Sequence, residues 1–322
     1  MKRMLSGIII LVLAMGMVGC KKSKKDNLGL LLLLGGGGDI WTWVSGSNTR
    51  DQEGEFGPLG VADAASIPGG RDGSVSWIDS SGNLWLFGGN GRDGSGGQGY
   101  LNDLWRFDGT NWTWVSGSQL INISGDYGTK GVAAGTNMPG ARYASVSWID
   151  SSGDLWLFGG YGYDSAGSDG SLNDLWRFDG TNWTWISGSN VISQNGIYGT
   201  KGMAHSANVP GCRGDSVSWI DSSGNLWLFG GLGRGSAGEA GSLNDLWRFD
   251  GTNWTWVSGE DLMSQAGVYG TKGKADPANI PGARDGSVTW RDSSGNLWLF
   301  GGRGFDSAGE LGYLNDLWRY RP

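Results

Sequence analysis

The chain repeats itself with a period of 71 residues, and a period of that kind restricts the fold to an architecture of stacked, equivalent units. Trp-Thr-Trp stands at 41–43, 112–114, 183–185 and 254–256. Phe-Gly-Gly stands at 87–89, 158–160, 229–231 and 300–302. Asn-Asp-Leu-Trp-Arg stands at 102–106, 173–177, 244–248 and 315–319. Residues 39–322 divide into four copies without remainder, and all 20 Trp fall at five positions per copy. So regular a distribution marks the Trp as architecture and not as a scattered binding surface. The 63 Gly would suit a disordered chain, but disordered segments are poor in aromatic residues. Two Cys exclude a disulfide scaffold, and Pro is too scarce for collagen.

Each copy reads as four short strands. In the second copy the first strand is Ala144 to Ile149, followed by the turn Asp150-Ser151-Ser152-Gly153. The second is Leu155 to Phe158, stopped by Gly159-Gly160 and followed by a Gly-rich loop. The third is Asp174 to Phe178, and Asp179-Gly180-Thr181-Asn182 turns into the fourth, Trp183 to Ser187. A loop of about two dozen residues leads to the next copy, and no helical period of useful length appears. Four strands per repeat predict an all-β fold, a β-propeller of four blades with four antiparallel strands each. The phase of the repeat adds a closure. Ile40 to Ser45 is a lone fourth strand, and Leu317 to Tyr320 a third strand with no fourth after it. The N-terminal strand is therefore expected to pair with the C-terminal blade and close a monomeric ring. The rival is an open arc that completes a larger ring with a second copy.

The double Gly after an aromatic-rich strand, then Leu-Asn-Asp-Leu-Trp, then a Trp in the last strand, resembles the Kelch repeat over residues 39–322. The unit is longer than the usual ~50 residues, and the excess sits in the loop between copies. The resemblance implies a propeller like the central domain of galactose oxidase. Enzymes of that kind include copper oxidases, whose site needs two His, Tyr ligands and a modified Cys. His205 is the single His, so copper chemistry is excluded, and no metal or other cofactor is expected. The kind also includes sugar mutarotases, which need acid–base groups alone. No phosphate loop, zinc spacing or nucleophile motif is present. Residues 39–322 carry 30 acids and 18 bases, which argues against nucleic acid as a partner.

The N-terminus reads as an address. Lys2 and Arg3 precede an apolar run from Ile8 to Val18, too short for an ordinary membrane span. The run ends Met17-Val18-Gly19-Cys20, which resembles a bacterial lipoprotein signal. The resemblance implies a signal peptide over 1–19, lipid on Cys20, a Lys/Leu/Gly tether over 20–38 and a propeller domain over 39–322. It places the chain in the cell envelope, at the outer membrane or cell surface rather than the inner membrane. Strand parity puts the tight turns and the tether on one side of the disc and the long loops on the other.

Loops on a rigid scaffold are where binding usually sits. The copies differ most in the loop between the second and third strands, which makes Arg92, Tyr161, Tyr163, Asp164, Arg234, Arg303, Phe305 and Asp306 the candidate ligand-binding residues. Tyr127-Gly-Thr-Lys130, Tyr198-Gly-Thr-Lys201 and Tyr269-Gly-Thr-Lys272 form a second set, read as a loop staple, with Phe56 in the first copy. Arg71, Arg142, Arg213 and Arg284 form a third set, and Asp103, Asp174, Asp245 and Asp316 a fourth. Rings of that kind either hold a small ligand or satisfy buried backbone groups. The expected function is a membrane-anchored scaffold, not an enzyme, that recognises a protein or glycan through its long-loop face. The alternatives are a sugar-modifying enzyme of the mutarotase type and a purely structural envelope lipoprotein.

Overall fold

The computed structural model describes residues 41–322, so the signal, Cys20 and the tether lie outside the described residues. The chain divides into a unit ending at Ser45 and a compact unit over Gly46–Pro322. The larger unit is all-β: its described residues form antiparallel sheets and no helix, an arrangement consistent with a β-propeller. Each repeat builds its own meander. In the second, Val146–Ile149, Leu155–Phe158, Leu175–Phe178 and Trp183–Ser187 pair in chain order. The fourth repeat stops after three, Val288–Arg291, Leu297–Phe300 and Leu317–Tyr320.

Gly-Gly ends the second strand in the second and fourth repeats, at Leu155–Phe158 and Leu297–Phe300, but not in the first and third, Leu84–Arg92 and Leu226–Arg234. In the first repeat that strand runs through it as Leu84–Arg92 and pairs with Gln98–Phe107, with a register shift between Phe87 and Gly89. Gly88 and Gly89 have φ of 64° and 105°, a conformation that side-chain-bearing residues rarely adopt, so the pair makes a β-bulge and the ladder resumes beyond it. The loop expected here is thus a hairpin standing above the meander. In the second repeat it is Tyr161–Tyr163 paired with Asp169–Ser171 on one side and Arg142–Tyr143 on the other.

The extra length of the repeat also has a use. The loop after each fourth strand folds back on itself through bridges such as Asp126 to Met138. It then reaches the outer strand of the following repeat, at Ala134 to Trp183 and His205 to Trp254. In the first repeat the contact is a short strand, Ala62–Asp63, on Trp112–Ser116. An exposed outer edge would invite pairing with other chains, and this loop covers it.

Successive repeats pack face to face through the Trp. Val75, Trp77, Trp85, Phe87 and Leu104 of the first repeat meet Leu155, Leu157, Trp176, Phe178 and Trp183 of the second. Equivalent side chains join the second to the third and the third to the fourth. Trp105, Trp176, Trp183, Trp247 and Trp254 are fully buried. The exposed Trp are Trp41, Trp43 and Trp290.

No closing strand is seen among the described residues. Ile40 lies outside the described residues, and residues 41–45 take no strand. Among the described residues, Leu317–Tyr320 pairs only with Leu297–Phe300. The first and fourth repeats each leave one side uncovered: Leu84 is 44% exposed where Leu155 and Leu226 are 2%. Without that strand, parity no longer fixes the side from which the N-terminal segment leaves.

Candidate functional site

The Arg and Asp sets do not form rings open to a ligand. Each Arg forks the Asp of its own repeat: Arg142 Nη1 and Nη2 donate to the two carboxylate oxygens of Asp174, both at 2.7 Å. Arg142 also donates to the carbonyls of Gly140 and Gly159. Trp176 Nε1 and the Tyr127 hydroxyl donate to the same carboxylate, at 2.7 and 2.5 Å. Arg142 and Asp174 are almost wholly buried. Burial and the adjacent carboxylate push the Tyr127 phenol well up, so it remains a donor. The node recurs as Arg213–Asp245–Tyr198–Trp247 and Arg284–Asp316–Tyr269–Trp318. In the first repeat Phe56 replaces the Tyr, its ring 4.8 Å from Trp105 as Tyr127 is from Trp176. The Tyr-Gly-Thr-Lys segments are staples: Lys130 caps the Gly188 carbonyl at 2.7 Å and lies 4.2 Å over the Trp185 ring.

The eight candidate rim residues divide three ways. Asp164 is buried, and its carboxylate accepts from the backbone N–H groups of Ala166, Ser168 and Ile192, which makes it a hairpin staple. Asp306 does the same for Ala308 and Glu310. Short polar side chains commonly tie turns in this way. Arg92 donates to the Gly96 carbonyl and lies 3.6 Å from Asp51, while Arg234 donates to the Ser193 carbonyl. Arg303 is exposed and Phe305 half-buried on the hairpin of the fourth repeat. Arg92 belongs to the first repeat, Arg234 to the third, and Arg303 and Phe305 to the fourth.

Tyr161 and Tyr163 do belong to a cluster. Tyr100, from the hairpin of the first repeat, lies 5.0 Å from Tyr143, 6.0 Å from Tyr161 and 6.1 Å from Tyr163 between ring centroids. Tyr143 and Tyr161 are 5.9 Å apart. All four rings are half-buried on the rim where the first two repeats meet. The Tyr161 hydroxyl faces the Asp169 carboxylate at 3.4 Å. Burial, with the neighbouring Tyr and Asp169 adding to it, raises the Tyr100 and Tyr161 phenols, which stay protonated.

Tyr100 and Tyr143 were not among the candidates. A signal was available: both stand at positions where the copies diverge. The position of Tyr100 holds Ser171, Ser242 and Tyr313 in the other copies, and that of Tyr143 holds Asp72, Gly214 and Asp285. The same four positions at the third junction are Ser242, Asp285, Arg303 and Phe305, where the Ser242 hydroxyl donates to Asp285 at 2.9 Å. One invariant frame therefore carries a different side-chain set at each junction.

No family model matches the chain, and no curated protein matches it. Among solved structures it is similar to YjhT, at 16% identity and a TM-score of 0.36, over 79% of this chain and 82% of that one. It is similar to an endo-arabinase from Bacteroides thetaiotaomicron VPI-5482, at 14% identity and a TM-score of 0.36, over 78% and 81%. It is also similar to a fucose lectin from Kordia zhangzhouensis in complex with methyl-fucoside, at 22% identity and a TM-score of 0.28, over 58% and 100%. Likenesses this distant assign no activity to the chain.

Proposed function

We propose that this chain is a glycan-binding scaffold of the cell envelope, held by lipid on Cys20, whose four Kelch-type repeats are four propeller blades. The binding site is the tyrosine cluster Tyr100, Tyr143, Tyr161 and Tyr163. The observation that supports this reading is the convergence of four divergent positions, all as Tyr, at one junction of an otherwise repeated frame. Tyr offers an apolar ring and a polar tip. A sugar has the matching character, with C–H faces for the rings and hydroxyls for the phenols and the Asp169 carboxylate. A protein ligand would more often be met by Arg beside the aromatics, and the cluster holds none. A mutarotase reading would need free carboxylates, yet Asp103, Asp174, Asp245 and Asp316 are each engaged by Arg and Trp. The anchor suits such a role, because several acyl chains on one residue would hold the scaffold stably at a membrane.

The test is a glycan array probed with the protein and with a junction swap. The swap gives the cluster the residues of the next junction: Tyr100→Ser, Tyr143→Gly, Tyr161→Leu and Tyr163→Arg. The expected result is specific binding by the protein and its loss in a swap whose thermal midpoint is nearly unchanged. Full retention of binding in the swap would move the site elsewhere.

A further inference from the structure

The side of the fourth repeat that faces away from the third is an uncovered copy of an interface the molecule builds three times. Val75, Val146 and Val217 are 9%, 7% and 9% exposed, whereas Val288 is 50%. Trp77, Trp148 and Trp219 are 5%, 4% and 8% exposed, whereas Trp290 is 54%. Phe300 and Leu317, at 40% and 58%, replace side chains buried in every other repeat. A groove of about 560 Å³ runs between Trp290, Trp298, Phe300 and Leu317. So contiguous an apolar surface marks an interaction site.

What covers this surface is shown by the other three. Trp77 Nε1 donates to the Trp148 carbonyl, Trp148 Nε1 to the Trp227 carbonyl and Trp219 Nε1 to the Trp290 carbonyl. In the reverse direction the backbone N–H of Ala144 donates to Gly73 O, Asp215 to Ala144 O and Gly286 to Asp215 O. Gly88, Gly159 and Gly230 back so closely on the next repeat that an added Cβ would lie 2.7, 2.7 and 2.8 Å from the carbonyl oxygen of its Arg, and Gly301 has no such neighbour. The face that makes these contacts from the following repeat is also present and uncovered. It is the outer side of the first repeat, where Ile78 is 64% and Leu84 44% exposed, against 2% for Leu155 and 1% for Leu297. The first and fourth repeats thus carry the two complementary halves of one joint. Within the chain the innermost strands of successive repeats lie side by side, and Val75–Ile78 and Val288–Arg291 have no comparable packing.

We infer that the uncovered face of the fourth repeat binds the outer face of the first repeat in a second copy of this chain. The joint is head-to-tail. Trp290 Nε1 donates to the Trp77 carbonyl of the other copy, and Gly73 N–H of that copy donates to Gly286 O. A head-to-tail joint closes into a ring or grows into a filament. Two copies joined at both ends make eight blades, within the usual range for closed propellers. The same ring presents the tyrosine cluster twice, so a ligand with repeated epitopes gains from both sites at once.

The joint predicts a cross-link. Ser218 Oγ lies 3.3 Å from the Ser147 carbonyl across the second junction, so Ser76 of one copy should face Thr289 of the other. The full chain carrying Ser76→Cys and Thr289→Cys is oxidised in detergent and run on a denaturing gel. The expected product is a covalent two-chain species that neither single-Cys variant gives. In the protein with its natural residues at 76 and 289, Leu317→Arg or Val288→Arg should halve the mass seen by native mass spectrometry. Both sites are exposed, so an unchanged circular dichroism spectrum shows that the monomer still folds. An intrachain disulfide in a one-chain species would overturn the proposal in favour of closure within the chain. A ladder of higher multiples would overturn the two-copy ring in favour of a filament. A one-chain mass with no cross-link would sink the joint itself.

Discussion

Two regions of each repeat, only a few residues apart in the chain, follow opposite rules. Below the Gly-Gly bulge lies the buried node of Arg, Asp and Trp, the same in all four copies. Above it stands the hairpin, where Tyr161, Asn90, Leu232 and Arg303 share one position. The node joins the first strand to the third and, through Tyr127, Tyr198 and Tyr269, ties the incoming loop to both. Loss of the Arg or the Asp leaves its partner's charge buried and unmatched. The hairpin is pinned by its backbone ladder and by a buried Asp at its tip in the first two repeats, which frees the residues on its faces to vary. Stability sits where the copies agree, and recognition is available where they differ.

The sharpest way to break that contrast is to cut one node. Asp174→Ala removes the acceptor from Arg142, Tyr127 and Trp176 together and leaves a guanidinium buried alone. Removing one partner of a buried pair costs about 3–5 kcal/mol. The expected outcome is a drop of that size in unfolding free energy by urea titration. Tyr161→Leu, a hairpin change of similar size, should stay within about 0.5 kcal/mol, the usual scale for surface substitutions. Equal losses from the two variants would erase the distinction between the regions.

A smaller effect separates the covered nodes from the open one. Asp316 sits at the uncovered end, its side chain 16% exposed, where Asp174 is fully buried. Burial works to raise its pKa, but hydrogen bonds from Arg284, Tyr269 and Trp318 outweigh it and hold the carboxyl down at about 2. An unfolded Asp titrates near 3.9. The folded value is the lower one, so the stabilisation is full above about pH 4 and is lost as pH falls towards 2. The gap in urea midpoint between the protein and Asp316→Asn should therefore shrink over that range. A gap that stays constant from pH 5 to pH 2 would show that the charge contributes nothing.

Much of this was legible from the repeat alone. The period, the four meander strands, their two tight turns and the structural role of the Trp all follow from residues that recur at fixed offsets. The Gly-Gly pair stops the second strand in the second and fourth repeats, but in the first and third its positive φ carries the strand through a bulge. The sequence does not pair Tyr100 with Tyr143, because they lie in different copies and meet only when two repeats pack. Asp164 reads as a ligand group in the sequence, which does not show the three backbone N–H groups that donate to it. The open joint was hidden for a different reason. Phase tells which strand is missing, but not how far each repeat turns from the last, and that rotation decides whether the fourth reaches the first.

The gentlest probe is to make the first repeat obey the rule of the others. Phe56 occupies the place of Tyr127, Tyr198 and Tyr269, and its ring already packs on Trp105 and Trp114 as theirs do on the matching Trp. Asp103 is buried and accepts from Arg71 and Trp105, but lacks the phenol its counterparts receive. Phe56→Tyr supplies that donor without moving the ring. A hydrogen bond to a charged acceptor contributes about 1.5–3 kcal/mol when buried, and the half-exposed position reduces this to about 1 kcal/mol. The variant should raise the urea midpoint without changing the slope. A neutral or destabilising result would mean that Asp103 is already satisfied, and that the first node differs from the other three in geometry as well as in composition.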